Sequence, residues 1–410
     1  MPLSYSLIVE NTGQAGQNPV IYGDAIAYEN DGSIYVYDIS RKENKLISSG
    51  SNPALFGFIV AFETKESDAD LNDDGDNADT VIQFADVRDG KTTSTKAVGR
   101  NPSVFSDFII FSTKESELGI DFSNDADTED DLIRQYDLET KEIINLKSVG
   151  DFPVFNQHSL VFITQESQIN VDLNADGEKA DQILRVYDRD KRNVDNTKFA
   201  GEQVAIGKLG NAVFVYNGQL ALLDPKSLKI EQLGQSGNSP SLYNDVVIFE
   251  REGYLYGLSL ENSKFAKTNI LGVQPSLFEN TVAFVSSEKD LGDLNSNGKS
   301  DELIIRYAFE EDADDDDISD FLDNCPAFSE VQNDGDDDGI GDACDTDKSK
   351  KSESKEDSKS SEILQNESSQ IAPERQGIHW VWYLVVILLL PFAIYYGYKY
   401  YKKRKKSFGF

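Results

Sequence analysis

Along the first 309 residues, short runs of alternating or continuous apolar residues are separated by turn residues, and the runs recur in larger units. The first unit opens at Asn18-Pro19 and leads through Val-Ile-Tyr-Gly-Asp-Ala-Ile-Ala to Tyr28. The same pattern follows Asn52-Pro53, Asn101-Pro102, Phe152-Pro153, Ser239-Pro240 and Gln274-Pro275, with a divergent copy from Gln203. Each start is followed by a third β-rich run, often closing on Tyr-Asp (Tyr37-Asp38, Tyr136-Asp137, Tyr187-Asp188), and usually by a fourth. Self-similarity at this spacing signals a repeat architecture, and four short strands per unit is the content of a propeller blade. Proline is expected at the first residue of each innermost strand, where no ladder donor is needed.

Units 1, 5 and 6 join their second and third strands through Asn30-Asp31-Gly32, Asn217-Gly218 and Glu252-Gly253, the residues a tight hairpin requires. Units 2, 3, 4 and 7 place acidic insertions there, expected to decorate an otherwise unchanged blade. The seventh unit lacks a fourth strand after Tyr307, whereas Tyr5 to Glu10 reads like the fourth strand of the other units. Supplying that strand from the N-terminus closes the ring and removes two exposed edges. The expected fold is all-β, a seven-bladed β-propeller over residues 4–309; a two-sheet sandwich is the alternative, but sandwiches do not require equivalent units.

The insertions carry the candidate chemistry. Oxygen-bearing side chains fall at alternate positions before a glycine and a further carboxylate, which is how one short loop surrounds calcium. The sets are Asp70, Asn72, Asp74 and Asp79, then Asp172, Asn174, Asp176 and Asp181, and, with fewer charges, Asp293, Asn295, Asn297 and Asp301. The insertion at Asp121 has no glycine at that place and is expected to bind poorly. None has the terminal glutamate of an EF-hand, and a solvated acidic turn is the alternative for each. Propeller geometry is expected to crowd all four onto the face that also carries the blade-to-blade crossings.

The repeats, in the pattern Asn-Pro-x-Ile-Tyr-Gly-Asp-x-Ile-x-Tyr followed by Ile-Tyr-Val-Tyr-Asp, resemble TolB-like propellers of bacterial and archaeal envelope proteins. That resemblance implies a binding surface more readily than a reaction. The next segment, residues 310–346, resembles thrombospondin type 3 repeats in a prokaryotic surface protein. The resemblance implies two calcium ligand sets, Asp312, Asp314, Asp316, Asp320 and Asp323, then Asp334, Asp336, Asp338, Asp342 and Asp345. Asp317 stands where the motif has glycine, and the run from Cys325 to Gln332 is about one residue short. Cys325 and Cys344, the only two cysteines, belong to the motif; a bridge between them implies an oxidising exterior, and two free thiols are the alternative.

Composition agrees with cations as ligands. With 39 basic and 73 acidic residues the net charge is -34, which argues against nucleic acid and for bound cations. Residues 347–376 turn to Lys, Ser, Glu and Gln and are expected to form a disordered stalk, with an N-glycosylation sequon at Asn366. Residues 378–398 are apolar or aromatic and long enough to span a bilayer; a buried soluble helix is the alternative. Lys399, Lys402, Lys403, Arg404, Lys405 and Lys406 follow, so residues 399–410 are expected in the cytoplasm and the propeller outside a cell membrane. The start, Met-Pro-Leu-Ser-Tyr-Ser-Leu, does not read as a signal peptide, so export is expected to depend on an upstream segment or a different start codon.

His158 and His379 are the only histidines, and neither belongs to a catalytic set. The expected function is a membrane-anchored, calcium-binding propeller, not an enzyme, that recognises an envelope protein or glycan. A calcium-dependent hydrolase or lyase and a purely structural envelope component are the alternatives.

Overall fold

The second and third strands of every unit are apolar on both sides because both sides are covered. The computed structural model describes residues 7–67, 69–122 and 126–309, together with Cys325, Gly341 and Cys344. The chain divides into Met1–Ser352 and Glu353–Phe410, and every described residue belongs to the first unit.

Seven four-stranded antiparallel sheets follow one another as the blades of a propeller. The first blade runs Gln17–Tyr22, Ala25–Asn30, Ser33–Asp38 and Glu43–Ser49, and the next five repeat that order. The seventh takes Val273–Phe278, Thr281–Ser287 and Leu303–Phe309 from the end of the repeat region and its outer strand, Ile8–Ala15, from the start. The N-terminal strand therefore closes the ring, as the sequence predicts.

The core is a set of seven apolar clusters, one at each interface between adjacent blades. Tyr28, Phe62, Phe111, Phe162, Phe214, Phe249 and Phe284, at one equivalent position of the second strand, are all fully buried. Each lies against the glycine that begins its blade. A Cβ on Gly150 would lie 2.4 Å from Phe162 Cδ2, and one on Gly237 2.2 Å from Phe249 Cδ2. Close approach of chain to ring is what demands glycine at these seven crossings.

The proline positions need a correction. Proline is the third residue of the first strand in six units, not its first, with Val204 there in the fifth, and the residue before that position is left-handed in all seven: Asn18, Asn52, Asn101, Phe152, Gln203, Ser239 and Gln274 have φ of 48° to 54°. Pairing slips at that point in each first strand, for example between Gln17 and Val20. A bulge thus leaves proline outside the ladder, which is why the strand interior tolerates it.

The tight turns are as expected, with left-handed pairs at Asp31-Gly32, Asn217-Gly218 and Glu252-Gly253. Cys325 and Cys344 form a disulfide, with Cα atoms 5.6 Å apart. The ten aspartates assigned to the neck, the Asn366 sequon, the stalk, the 378–398 span and the basic tail lie outside the described residues. Among the described residues no helix is long and apolar enough to cross a membrane.

Candidate metal centres on the loop face

After each insertion blade the crossing glycine donates its N–H to the carbonyl that begins the third strand of the blade just completed: Gly99 to Thr80, Gly150 to Asp131, Gly201 to Gln182 and Gly16 to Leu303; after the tight-turn blades Gly50, Gly237 and Gly272 donate to the turn glycines Gly32, Gly218 and Gly253. The insertions end at those third-strand residues, so insertions and crossings share one face.

Every insertion begins with a glutamate that sequence reading did not single out. Glu66, Glu115, Glu166 and Glu288 follow directly on the second strand and are 0% to 3% exposed. Three of these carboxylates fasten both ends of their loop. Glu66 Oε1 accepts from Leu71 N at 2.5 Å and Oε2 from Asp79 N at 3.3 Å. Glu166 accepts from Leu173 N at 2.5 Å and Asp181 N at 3.3 Å, and Glu288 from Leu294 N at 2.8 Å and Glu302 N at 3.2 Å. Glu115 Oε1 accepts from Phe122 N at 2.7 Å. A buried carboxylate is retained only where donors surround it, and here the loop's own backbone provides them. The available signal was a glutamate four residues after the aromatic of the second strand, at Phe62-Glu66, Phe111-Glu115, Phe162-Glu166 and Phe284-Glu288, where the tight-turn units have Gly32, Gly218 and Gly253.

The alternating oxygens shape the loop before they can hold an ion. Asp70 Oδ1 and Oδ2 accept from the backbone of Asp73, Asp74 and Gly75, and Asp172 accepts from Ala175 and Gly177. Asn72 Nδ2 donates to Asp74 and Asp79, and Asn174 Nδ2 to Asp176 and Asp181. At the seventh blade Asn295 and Asn297 both donate to Glu302, which takes the place of Asp79 and Asp181; Asp301 is one residue short of it. Gly75, Gly177 and Gly298 have φ of 103°, 102° and 82°, and Ala126 takes the same position at 78° in the Asp121 loop. That loop keeps the strained turn without the residue suited to it.

Carboxylate oxygens converge at two blades. Oxygens of Glu66, Asp76 and Asp79 lie within 4.8 Å of one another, as do those of Glu166, Glu178 and Asp181. Of the expected ligands, Asp79 and Asp181 belong to these groups; Glu66, Asp76, Glu166 and Glu178 are additions. Burial, with Asp74 and Asp76 adding to it, holds the Asp79 carboxyl above its ordinary value, while the Asp76 N–H holds Asp74 below. An all-oxygen donor set suits a hard cation such as calcium, magnesium or manganese.

Around the axis, first strands of neighbouring blades lie side by side, and their left-handed residues, polar except for Phe152, line the channel mouth. Asn18 N donates to Gln274 Oε1, Asn52 N to Glu29 and Asn101 N to Glu63. Asn52 Nδ2 reaches Asn101 Oδ1 at 3.1 Å, and Asn101 Nδ2 reaches Asp151 at 2.8 Å. Arg100 pairs with Asp131 and Asp151, offsetting part of the negative charge.

No protein-family model and no curated protein matches the chain. Solved structures do. An oligogalacturonate lyase in complex with manganese is 11% identical, with a TM-score of 0.49 over 75% of this chain and 96% of that one. An oligogalacturonate lyase from Vibrio parahaemolyticus is 12% identical, with a TM-score of 0.47 over 76% and 92%. The β-propeller domain of the Trilobed protease from Pyrococcus furiosus is 12% identical, with a TM-score of 0.47 over 74% and 93%. At such identity the likeness is one of fold alone.

Proposed function

We propose that this chain is a calcium-binding β-propeller, tethered outside a cell membrane, that recognises a protein or glycan through the face carrying its acidic loops. The observation that supports it is the convergence of a buried strand-end glutamate with two loop carboxylates, at Glu66 with Asp76 and Asp79 and again at Glu166 with Glu178 and Asp181. A cation there joins oxygens that otherwise repel one another, and the loop is already fastened at both ends, so little ordering remains to oppose binding. Calcium is favoured over magnesium because a set mixing carboxylate and amide oxygens suits its larger, more variable shell. The Cys325–Cys344 bridge and the basic tail after residues 378–398 support an exterior propeller.

Calcium titration of the purified protein, following melting temperature and bound metal, tests this. At about a hundredfold excess over Kd, calcium adds about 2.7 kcal/mol, a rise of several degrees. Asp79→Asn and Asp181→Asn should each remove part of the rise and of the stoichiometry. An unchanged melting temperature at millimolar calcium would defeat the reading.

A further inference from the structure

Blade four carries an insertion, whereas blade five turns tightly at Asn217-Gly218, so the loop of one stands over the low edge of the next. Two cavities occupy that step. The outer, about 710 Å³, is walled by Asn174, Asp176 and Asp181 on one side and Tyr216 and Asn217 on the other. The inner, about 430 Å³, lies at the channel mouth among Asn52, Asn101, Phe152 and Gln203. Gln182 and Glu202 line both, so the two are one groove.

Phe152 is the anomaly in that groove. Its counterparts in the other blades are Asn18, Asn52, Asn101, Gln203, Ser239 and Gln274, all polar, all left-handed. Phe152 shares the backbone, at φ 51°, yet is 53% exposed. Left-handed backbone disfavours a bulky aromatic and suits asparagine, so the fold gains nothing from phenylalanine here. The exposed ring instead lines the inner cavity, as Tyr216, half-buried against Phe199, lines the outer.

We infer that this groove binds an uncharged oligosaccharide. Deepening the recognition reading above, the assignment names the ligand class and its place. Aromatic faces stack on the C–H faces of sugar rings, and amides and carboxylates between them match hydroxyls, which both donate and accept. Gln182 and Glu202 have no side-chain partner among the described residues, so both are available to such hydroxyls. Lys198 is the one cation of the lining, set against Asp176, Asp181 and Glu202, and the chain carries a net charge of -34. A cation held at Glu166, Glu178 and Asp181 leaves Glu202 unneutralised at the centre of the groove, so the lining and the net charge together disfavour an anionic sugar.

The test is calorimetry of the purified full-length chain with cello-, malto-, manno- and N-acetylchito-hexaose, with hexagalacturonate and a mixed hexapeptide pool as comparators. At least one uncharged hexasaccharide should bind; Phe152→Asn should weaken it at least tenfold without lowering the melting temperature, and Glu202→Gln severalfold. Binding of only hexagalacturonate or peptide, no binding at millimolar sugar, or an unchanged affinity in Phe152→Asn would overturn the assignment. A calcium-induced melting shift without sugar binding would overturn this inference alone, and sugar binding without that shift would overturn the calcium reading alone.

Discussion

Replacing Glu166 by glutamine isolates the fastening of an insertion from the charge of its tip. The carboxylate is fully buried and receives Leu173 N and Asn174 N on Oε1, at 2.5 and 3.3 Å, and Asp181 N on Oε2, at 3.3 Å. Glutamine is isosteric but offers one oxygen. With that oxygen kept on the Leu173 side, its NH2 opposes the Asp181 N–H, donor against donor. A hydrogen bond to a charged group contributes about 1.5–3 kcal/mol, and the displaced N–H partly regains water, so the net cost is about 2 kcal/mol. Because loops open locally before a propeller unfolds, the loss should appear in hydrogen exchange as about a thirtyfold fall in protection of the Leu173 and Asp181 amides. The global midpoint should move by about 4 °C or less. Amides of the tight Asn217-Gly218 hairpin serve as the internal control. Unchanged protection at Leu173 and Asp181 in Glu166→Gln would refute the argument that this carboxylate holds the loop.

Three further outcomes follow from the geometry. Gly150→Ala places a Cβ 2.4 Å from Phe162 and 2.7 Å from the Ile163 carbonyl, neither free to yield, and should cost about 1–3 kcal/mol by urea denaturation; a loss under 0.5 kcal/mol would contradict it. Deleting Ile8–Ala15 uncovers the edge of Leu303–Phe309, and size exclusion should report association through that edge; a monomer as stable as the parent would count against closure by this strand. The Asp79 carboxyl is held above 3.8, chiefly by burial, so the folded state retains a proton that the unfolded chain releases. Without calcium, its contribution to stability therefore grows as pH falls through the raised value and is complete below 3.8. Calcium needs the carboxylate, so calorimetry in buffers of different ionisation enthalpy should show proton release on binding that grows as pH falls toward the carboxylate range and is smaller in Asp79→Asn; equal release in the two proteins would contradict it.

What was legible in the sequence was whatever recurs locally. The inner strand makes the same demands seven times, so a proline with an aromatic nine residues on, present in six units and diverged in the fifth, announced the blades, and the missing fourth strand after Tyr307 pointed to the N-terminus. The crossing glycines were equally periodic, three residues before each motif proline, but glycine reads first as a turn; its meaning here is contact with a ring in another strand. The buried glutamates were harder still. A charged residue at a strand end reads as solvated, and its burial exists only once the loop has folded back over it. The same nonlocality hid Asp76 and Glu178, which pattern spacing assigns to the loop tip and the fold turns toward the strand.

The insertions are therefore not decoration on an unchanged blade. In the insertion blades the residue opposite the buried aromatic is Gln83, Arg134, Arg185 or Arg306, where the tight-turn blades have Tyr35, Ala221 and Tyr256. Their outer strands reach the loop as well: Ser94 donates to Leu71 O at 2.7 Å, Asn196 to Leu173 O at 2.8 Å and Asn11 to Leu294 O at 2.5 Å. Two residues before each glutamate, Thr64, Thr113, Thr164 and Ser286 donate to the carbonyl of Ser49, Val98, Val149 and Leu271, which belong to the preceding blade. Loop, blade and neighbouring blade are thus joined by one run of hydrogen bonds through the strand that ends in the glutamate. A cation that tightens the loop against that glutamate also tightens the joint between blades, so its stabilisation belongs to the whole ring and not to the loop alone.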